Sequence, residues 1–179
     1  MANVDPGKVP VTSPSEWARL NERALPRRGR ALDLASGEGR HAIWLASRGL
    51  EVTAVDRDER ALEYLRRAAR DNALTVSTKC VDLEQTAVSL GIAAFDVIVV
   101  TNYLHRPLFP RIQTALAQGG FLIYETFTRA QATIGKPTNP AFLLEPGELE
   151  RLVSPLEILR SREGFFDGRH VASVLARLP

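Results

Sequence analysis

The segment Ala31–Asp56 limits the folds open to this chain more than any other part of it. It reads as an apolar strand, a glycine turn, a helix beginning near Arg40, a second strand and an acid at that strand's tip. Gly37 and Gly39 lack a Cβ, so the turn can take positive φ and a ligand can approach the backbone. The first N–H groups of the helix can bind a polar ligand, and Asp56 can accept hydrogen bonds from a vicinal diol. This order predicts a nucleotide-type cofactor site at the carboxyl edge of a parallel sheet.

The acid inside the glycine turn separates two cofactor classes. The spacing Gly37-x-Gly39-x-x-Ala42 satisfies the dinucleotide fingerprint. Asp33, however, would repel a pyrophosphate, and it suits a ligand with a cationic head such as a sulfonium with an α-ammonium group. The pattern therefore favours S-adenosylmethionine. A nicotinamide dinucleotide is the alternative, and a strand–helix turn without any ligand is the third interpretation.

Length, charge and cysteine content bound the class of protein. The chain has 179 residues, enough for one domain with a sizeable core. Its 23 basic and 21 acidic side chains give a formal net charge of +2 without a long basic tract, so a nucleic-acid partner is not indicated. Cys80 is the single cysteine, which excludes an intramolecular disulfide and fits a reducing compartment. We expect it to be a small buried side chain.

Neither secretion nor membrane insertion is indicated by the apolar segments. Met1–Pro14 lacks the apolar core of a secretion signal, and the longest apolar run, Phe95–Val100, is far too short to cross a bilayer. We expect a cytoplasmic protein with no membrane partner and no resident metal, present as a monomer or a homodimer.

Elements of different type alternate along the chain, which predicts an α/β fold with a parallel sheet. An N-terminal segment over 1–27 precedes a single domain over 28–179; its helix, expected over 15–25, is either a lid or a helix packed on the sheet edge. The expected strands cover 30–35, 51–55, 74–81, 95–101 and 121–127, and the expected helices cover 39–48, 58–70, 84–90, 108–117 and 146–153. Residues 118–120 are expected to form a turn.

The end of the chain predicts an antiparallel hairpin. Two extended segments, 156–166 and 169–178, are joined by Asp167-Gly168, a strong two-residue hairpin signal. A plain dinucleotide-binding domain would instead end on another parallel strand–helix unit, so the hairpin does not fit that class.

These features resemble the class I S-adenosylmethionine-dependent methyltransferases, and Leu32–Asp56 is most similar to the TehB-like small bacterial members. The resemblance covers roughly residues 28–127 and, by topology, the final hairpin. It implies a single-domain Rossmann-like fold: a seven-stranded, mostly parallel sheet with helices on both faces and a C-terminal antiparallel hairpin. The chain departs from the family at Ala35, where glycine is usual, and alanine tolerates positive φ poorly.

The resemblance also implies roles for individual residues. The glycine turn would line the methionine part of the cofactor, Asp56 would bind the ribose hydroxyls, Asp82 with Leu83 would contact the adenine, and Thr101–Leu104 would pass beneath the sulfonium. The full set expected at the cofactor is Asp33, Ala35, Ser36, Gly37, Gly39, Arg40, His41, Asp56, Arg57, Asp82, Leu83, Thr101, Asn102 and Leu104.

Three side chains beyond the strand tips are candidates for catalysis. His105 is the first candidate for a base, because histidine titrates near neutral pH; the alternative is a loop histidine bonded to the backbone. Tyr103 either walls the cofactor or is plain packing. Glu125 is a base, a group that orients an amine, or a solvent-facing carboxylate at a strand end. His41 lies near the cofactor, and a structural role is favoured over catalysis.

The acceptor is less constrained than the cofactor. Asn102–His105 departs from the Asn/Asp-Pro-Pro-Tyr signature of methyltransferases that act on adenine or glutamine amines, and this favours a small-molecule acceptor. Soft nucleophiles of sulfur, selenium or tellurium need no strong base, whereas an oxygen or amine acceptor can need one. The segment 135–144 reads as a subgroup signature without an assigned role. An oxidoreductase and a non-catalytic protein that binds S-adenosylmethionine remain the alternatives.

Overall fold

A computed structural model describes residues 12–85 and 88–179 of the chain, and its centre is a seven-stranded sheet of order β3-β2-β1-β4-β5-β7-β6. Strands β1 to β5 run parallel to their neighbours, and the last two strands join antiparallel beside β5. The strands are β1 (Arg30–Leu34), β2 (Glu51–Asp56), β3 (Val76–Cys80), β4 (Phe95–Thr101), β5 (Leu116–Phe127), β6 (Glu157–Phe166) and β7 (Arg169–Arg177). The fold predicted from the sequence is confirmed.

Helices cover both faces of the sheet. The α-helices are α1 (Glu16–Leu20), α2 (Arg40–Ser47), α3 (Glu59–Asp71), α4 (Phe109–Ala115) and α5 (Glu148–Val153). Short 3₁₀ helices span Glu22–Ala24, Arg106–Leu108, Arg129–Thr133 and Pro140–Phe142. Helices α1, α2 and α3 pack with one apolar cluster, and α4 and α5 pack with the other. The sheet is therefore the middle layer of three, as expected where parallel strands are buried on both sides.

Local sequence explains the best-predicted elements. In β4, Val97 to Val100 are fully buried and alternate between the two cores, which is why this strand reads as a continuous apolar run. Helix α3 begins at an Asp58 cap whose carboxylate accepts hydrogen bonds from the amides of Arg60 and Ala61. The Asp167-Gly168 turn joins β6 to β7 as predicted, with both of its residues at positive φ.

The first helix is shorter than predicted and is held on the sheet. Helix α1 ends at Leu20 instead of continuing to 25. Trp17 is 5% exposed, and its indole N–H donates to the carbonyl of Val174 in β7 at 3.1 Å. The packed arrangement, rather than the lid, describes this helix; residues 1–11 of the N-terminal segment lie outside the described residues.

Three other expectations need correction. Strand β5 begins at Leu116, not at 121, because Leu116 pairs with Phe95 and the expected turn over 118–120 is a bulge within the strand. The described residues of 84–90 form no helix; positions 86 and 87 lie outside the described residues. Cys80 is exposed rather than buried, because β3 is an edge strand with several exposed positions.

Among residues 12–85 and 88–179, no helix is long and apolar enough to span a bilayer.

Candidate functional site

A cavity of about 550 Å³ opens at the carboxyl edge of the parallel strands. It begins at the tips of β1, β2 and β3, passes the tip of β4 and reaches the segment that follows β5. Its lining consists of Ala35, Asp56, Arg57, Val81, Asp82, Leu83, Glu84, Asn102, Tyr103, Leu104, Phe127, Lys136, Pro137 and Phe142. This is the position at which open α/β sheets bind ligands, where the chain order reverses between β1 and β4.

Asp56 organises the part of the cavity beside β2. Its Oδ2 accepts a hydrogen bond from the Gly37 amide at 2.7 Å, and its Oδ1 accepts from the Asp58 amide at 2.9 Å. Each carboxylate oxygen has a second lone pair, so Asp56 can still accept from a ligand hydroxyl. The same carboxylate therefore fixes the glycine turn and offers acceptors to the cavity.

The glycine turn has backbone angles in the left-handed region, and one of them is at Ala35, where the family usually has glycine. Ala35 has φ +52° and Gly37 has φ +54°. Ala35 thus keeps the positive φ that glycine would give, with the strain of a side chain in that region. At Gly37, a Cβ would meet no atom within 4 Å, so this side of the turn is open. At Gly39, a Cβ would overlap the Leu65 side chain, so this glycine serves helix packing.

Asp33 lies behind the turn rather than on the cavity wall. It is 1% exposed, and its Oδ2 accepts a hydrogen bond from the Ala42 amide at 2.9 Å in the first turn of α2. Burial raises the pKa of the Asp33 carboxyl to about 7, against the lowering effects of that hydrogen bond and of the Arg40 charge. Asp33 therefore acts on the cavity through charge and through the turn it supports.

The structure brings about half of the predicted cofactor residues to the cavity. Those on its wall are Ala35, Asp56, Arg57, Asp82, Leu83, Asn102 and Leu104. Those off the wall are Asp33, Ser36, Gly37, Gly39, Arg40, His41 and Thr101. The second set still builds the β1–α2 connection and the tip of β4, so it shapes the cavity from behind.

His41 joins three elements and is structural. It is 2% exposed, its Nε2 accepts a hydrogen bond from the Ser15 amide at 3.1 Å, and its Nδ1 lies 3.4 Å from Oγ1 of Thr101. Since Nε2 is an acceptor, the proton of the neutral ring is on Nδ1. Burial lowers the pKa of His41 to about 3, so the ring stays neutral. The imidazole links α1 to the tip of β4.

Glu125 is not on the cavity wall, and it does not face solvent. It is fully buried; its Oε2 accepts hydrogen bonds from Ser173 Oγ at 2.8 Å and from Arg162 Nη2 at 3.2 Å. Nη2 of Arg169 lies 3.7 Å from its other oxygen, Oε1. The candidate base is therefore the counter-ion of two guanidinium groups, because β5 and β7 pair side by side at Glu125 and Ser173.

A chain of contacts leads from this buried cluster to the cavity. Arg169 Nη1 donates to Oδ1 of Asn102 at 3.1 Å. Asn102 is at φ +57° on the cavity wall, a conformation that asparagine tolerates better than most residues. Arg40 lies near the same cluster: burial and the charge of Arg169 lower its pKa, and its Nη2 is buried without a hydrogen-bond partner among the described residues.

The other two catalytic candidates differ in position. Tyr103 is on the wall, and burial raises the pKa of its phenol to about 12. Its hydroxyl is buried without a hydrogen-bond partner in the part of the chain that the structure describes. His105 is not among the lining residues; its carbonyl accepts from the Leu108 amide at the start of the 3₁₀ helix Arg106–Leu108.

The contacts that hold the segment after β5 beside the cavity were not predicted from the sequence. Arg106 donates to Glu148 through Nε at 2.6 Å and Nη2 at 2.9 Å, and it also donates to the carbonyls of Ala141 and Leu143, each at 3.0 Å. The one sequence signal for them was the signature over 135–144, which had no assigned role and which contributes Lys136, Pro137 and Phe142 to the lining of the cavity. Its partner Glu148 is 42 positions from Arg106 in sequence, so no local pattern could reveal the clamp.

S-adenosylmethionine fits the groups at the cavity. Asp56 has free acceptor capacity for a diol, the turn beside Gly37 is open, and Asp82 and Leu83 offer a carboxylate and an apolar side chain for an adenine ring. Carboxylates dominate this side of the cavity, which suits a cationic ligand better than a pyrophosphate.

The sequence profile of the methyltransferase domain matches residues 31–120. The chain is 25% identical over 140 residues to the probable S-adenosyl-L-methionine-dependent methyltransferase TehB of Haemophilus influenzae, an alignment that covers 75% of this chain and 48% of that protein. The crystal structure of TehB from Haemophilus influenzae superposes with a TM-score of 0.75 at 20% identity, covering 92% of this chain and 62% of that one. The [4+2]-cyclase SpnF superposes with a TM-score of 0.73 at 18% identity, covering 91% of this chain and 79% of SpnF.

The chain therefore belongs to the methyltransferase domain family. It spans about half the length of TehB, a curated relative that it matches over 75% of its own length. Because SpnF is a cyclase with the same fold, the fold alone does not determine the reaction.

Proposed function

We propose that this chain binds S-adenosylmethionine and transfers its methyl group to a small-molecule acceptor with a soft sulfur, selenium or tellurium nucleophile. One observation supports a soft acceptor: each predicted base is protonated, held in an ion pair or absent from the lining of the cavity. Glu125 is an ion-paired counter-ion, and His105 is not among the lining residues of the cavity. His41, which was expected to be structural, has contacts at both ring nitrogens. Tyr103 stays protonated at neutral pH because its pKa is about 12.

The carboxylates that do line the cavity stand on the cofactor side. Asp56 ends β2, and Asp82 and Glu84 follow β3, so β1 separates their strands from β4 in the order of the sheet, although the pKa of the Tyr103 phenol is raised by burial and also by the charges of Glu84 and Asp82. Among the described lining residues beyond β4, none has a carboxylate or imidazole that could take a proton from an amine or an alcohol. A thiolate or selenide arrives without the proton, so it needs no base.

Positive charge near the tip of β4 supports an anionic nucleophile. Arg169 reaches Asn102 on the cavity wall, and the nearby Arg40 has a buried nitrogen with no hydrogen-bond partner among the described residues. Arg162 and Arg169 share the fully buried Glu125 carboxylate, and each also pairs with a more exposed carboxylate, Arg162 with Glu16 and Arg169 with Asp167. A guanidinium group near the acceptor lowers the pKa of a thiol and raises the share of its reactive anion.

When bound, S-adenosylmethionine supplies a methyl group on a positively charged sulfonium. The lone pair of the anionic acceptor forms the new bond to the methyl carbon. The old carbon–sulfur bond breaks, its electrons stay on the cofactor's sulfur, and no proton is transferred. The contribution of the chain is to hold the two reactants in line and to keep water out, with Tyr103, Phe127 and Phe142 as apolar walls.

The test is methyl transfer from tritium-labelled cofactor to matched acceptors. We would compare hydrogen sulfide, a thiol, selenite reduced in situ, and the amine and alcohol analogues of the thiol. Turnover of the sulfur and selenium acceptors only, lost in Asp56→Ala, is expected. Turnover of the amine or alcohol alone would contradict the soft-acceptor proposal, and cofactor binding without any transfer would favour the non-catalytic alternative.

A further inference from the structure

The cavity has a second wall that the cofactor groups do not explain. In the strand order of the sheet, Asp56, Asp82 and Glu84 lie at the β2–β3 end. The opposite end is formed by Tyr103 after β4, Phe127 at the end of β5, and Lys136, Pro137 and Phe142 of the following segment. This second wall combines three aromatic rings with one ammonium group.

The segment that supplies this wall is anchored at both ends. At its start, Gln131 is buried; its Nε2 donates to the carbonyl of Lys136 at 3.0 Å, and its Oε1 accepts from the His170 amide at 2.8 Å. At its end, Arg106 holds the carbonyls of Ala141 and Leu143. The positions of Lys136 and Phe142 are thus fixed to β7 and to the region after β4.

The two side chains presented by this anchored segment, Lys136 and Phe142, are both exposed. Phe142 is 47% exposed, although the residues after it, Leu143 and Leu144, are buried. Among the residues that the structure describes, the Lys136 ammonium makes no ion pair. An exposed phenylalanine held rigidly at a cavity costs free energy that a bound apolar group would recover.

The charges of the two ends differ in sign. The β2–β3 end has three carboxylates with Arg57 as its cation, whereas Lys136 is the one charged residue that the described lining offers beyond β4. An anionic group would be repelled at the first end and attracted at the second. A flat apolar body suits the rings of Phe142 and Tyr103.

Resting on the proposed function, we infer that the acceptor is an organic thiol with a flat apolar body and an anionic group, the simplest being a carboxylate. The anionic group binds at the Lys136 ammonium and the body contacts Phe142. The class of substrate is an aryl thiol carboxylate or a molecule of similar shape, larger than a bare inorganic anion.

The experiment measures binding and turnover with matched ligands. Protein loaded with S-adenosylhomocysteine is titrated calorimetrically with para-(methylthio)benzoate and with methylthiobenzene, the methylated products with and without the carboxylate. Initial rates are measured for para-mercaptobenzoate, thiophenol and mercaptoacetate. The variants are Lys136→Met and Phe142→Ala, and Lys79→Met on β3, outside this cavity, is the matched control.

We expect the carboxylate to strengthen binding and raise kcat/KM by about tenfold in the parent and in Lys79→Met. Lys136→Met should abolish that preference, so that the ratio of kcat/KM for para-mercaptobenzoate to kcat/KM for thiophenol falls to about one. Phe142→Ala should weaken both aryl ligands but not mercaptoacetate. Equal affinity for both aryl products in the parent, or a carboxylate preference that survives Lys136→Met, would overturn the inference.

The failure of the proposed function gives a different result. Absence of S-adenosylhomocysteine binding in the parent would contradict the methyltransferase proposal itself. Binding of S-adenosylhomocysteine with transfer to inorganic selenide or sulfide, but with neither binding nor turnover of any aryl ligand, would leave that proposal standing and overturn this inference alone.

Discussion

The two ends of the cavity are stabilised in different ways. At the β1–β3 end, the polar contacts join residues close in sequence: Asp56 to the amides of Gly37 and Asp58, and Asp33 to the amide of Ala42. At the β4–β7 end, arginine side chains reach across the fold, as Arg162 does to Glu125 and Arg106 to Glu148.

This difference separates the end that suits the cofactor from the end that suits the acceptor. Backbone amides around Asp56 give the first end a geometry that depends on the loop shape and suits one cofactor. Side-chain clamps at the second end can hold different segments, so the acceptor is set by residues such as Lys136 and Phe142 that the clamps present. Changes at the first end should therefore affect cofactor binding, and changes at the second should affect acceptor use or stability.

Two large effects on stability are expected, and one of them lies in the buried ion cluster. Glu125→Gln keeps the size of the side chain but removes the negative charge between Arg162 and Arg169. We expect a loss of about 3 kcal/mol in the free energy of unfolding, because Arg162 and Arg169 lose their fully buried counter-ion and keep only the more exposed carboxylates of Glu16 and Asp167. Urea denaturation measures it. Glu145→Gln, at an exposed pair with Arg129, is the control and should cost less than about 1 kcal/mol. Equal losses of unfolding free energy in Glu125→Gln and Glu145→Gln would contradict the description of Glu125 as a buried ion-paired residue.

The next effect is pH-dependent and belongs to the first end. The folded-state pKa of Asp33 is about 7, above its ordinary value of 3.8, so folding favours the protonated carboxyl. This contribution to stability is complete below about pH 4 and is lost as the pH rises through about 7.

Asp33→Asn removes the ionisation while keeping an acceptor for the Ala42 amide. The variant should therefore gain stability relative to the parent as the pH rises, on the order of 4 kcal/mol by about pH 8. Urea denaturation across this range measures the gain. A difference between variant and parent that does not change with pH would show that Asp33 is not held as the structure has it.

A smaller effect should separate acceptor from cofactor. Arg106→Ala removes the clamp on the carbonyls of Ala141 and Leu143, so the wall that bears Phe142 loosens. We expect KM for the acceptor to rise by about tenfold while the Kd of S-adenosylhomocysteine stays within about twofold. Steady-state kinetics and calorimetry give the two values. Arg129→Ala, in the exposed pair with Glu145, is the control. An equal loss of cofactor affinity in Arg106→Ala would contradict the separation of acceptor binding from cofactor binding.

The smallest effect is expected at Tyr103. Its phenol has a pKa of about 12, so it remains protonated and takes no proton from the acceptor. Tyr103→Phe should keep kcat/KM within about twofold between about pH 6 and pH 9. A loss of more than about tenfold with a thiol acceptor, together with a changed pH profile, would restore the phenol as a catalytic group.

Prediction from the sequence succeeded where the signal is local. Strand β4 has the predicted bounds because a strand buried on both faces is apolar throughout, and the Asp167-Gly168 turn fixed the final hairpin. The glycine turn and Asp56 meet at the carboxyl edge of the sheet for the same reason, since the loop and the acid belong to one β–α–β unit, and their role at a cofactor stays a prediction.

Prediction failed where the decisive partner lies far along the chain. Glu125 looked like a base at a strand tip, but Arg162, which neutralises it, is 37 positions away and reaches it only because β7 lies between β5 and β6. The start of β5 was missed because two glycines read as a turn, whereas the pairing of Leu116 with Phe95 draws them into a bulged strand. Burial of Asp33 behind the turn, rather than on the wall, likewise depends on packing of α2.

The most direct test of the account is a calorimetric titration with S-adenosylhomocysteine and with NAD, in the parent and in Asp56→Ala. Asp56 is the group at which the loop, the cavity and the cofactor class meet. We expect the parent to bind S-adenosylhomocysteine and not NAD, and the variant to lose at least about tenfold in affinity while remaining folded. Binding of NAD by the parent, or full affinity for S-adenosylhomocysteine in the variant, would contradict the assignment of the cofactor to this end of the sheet.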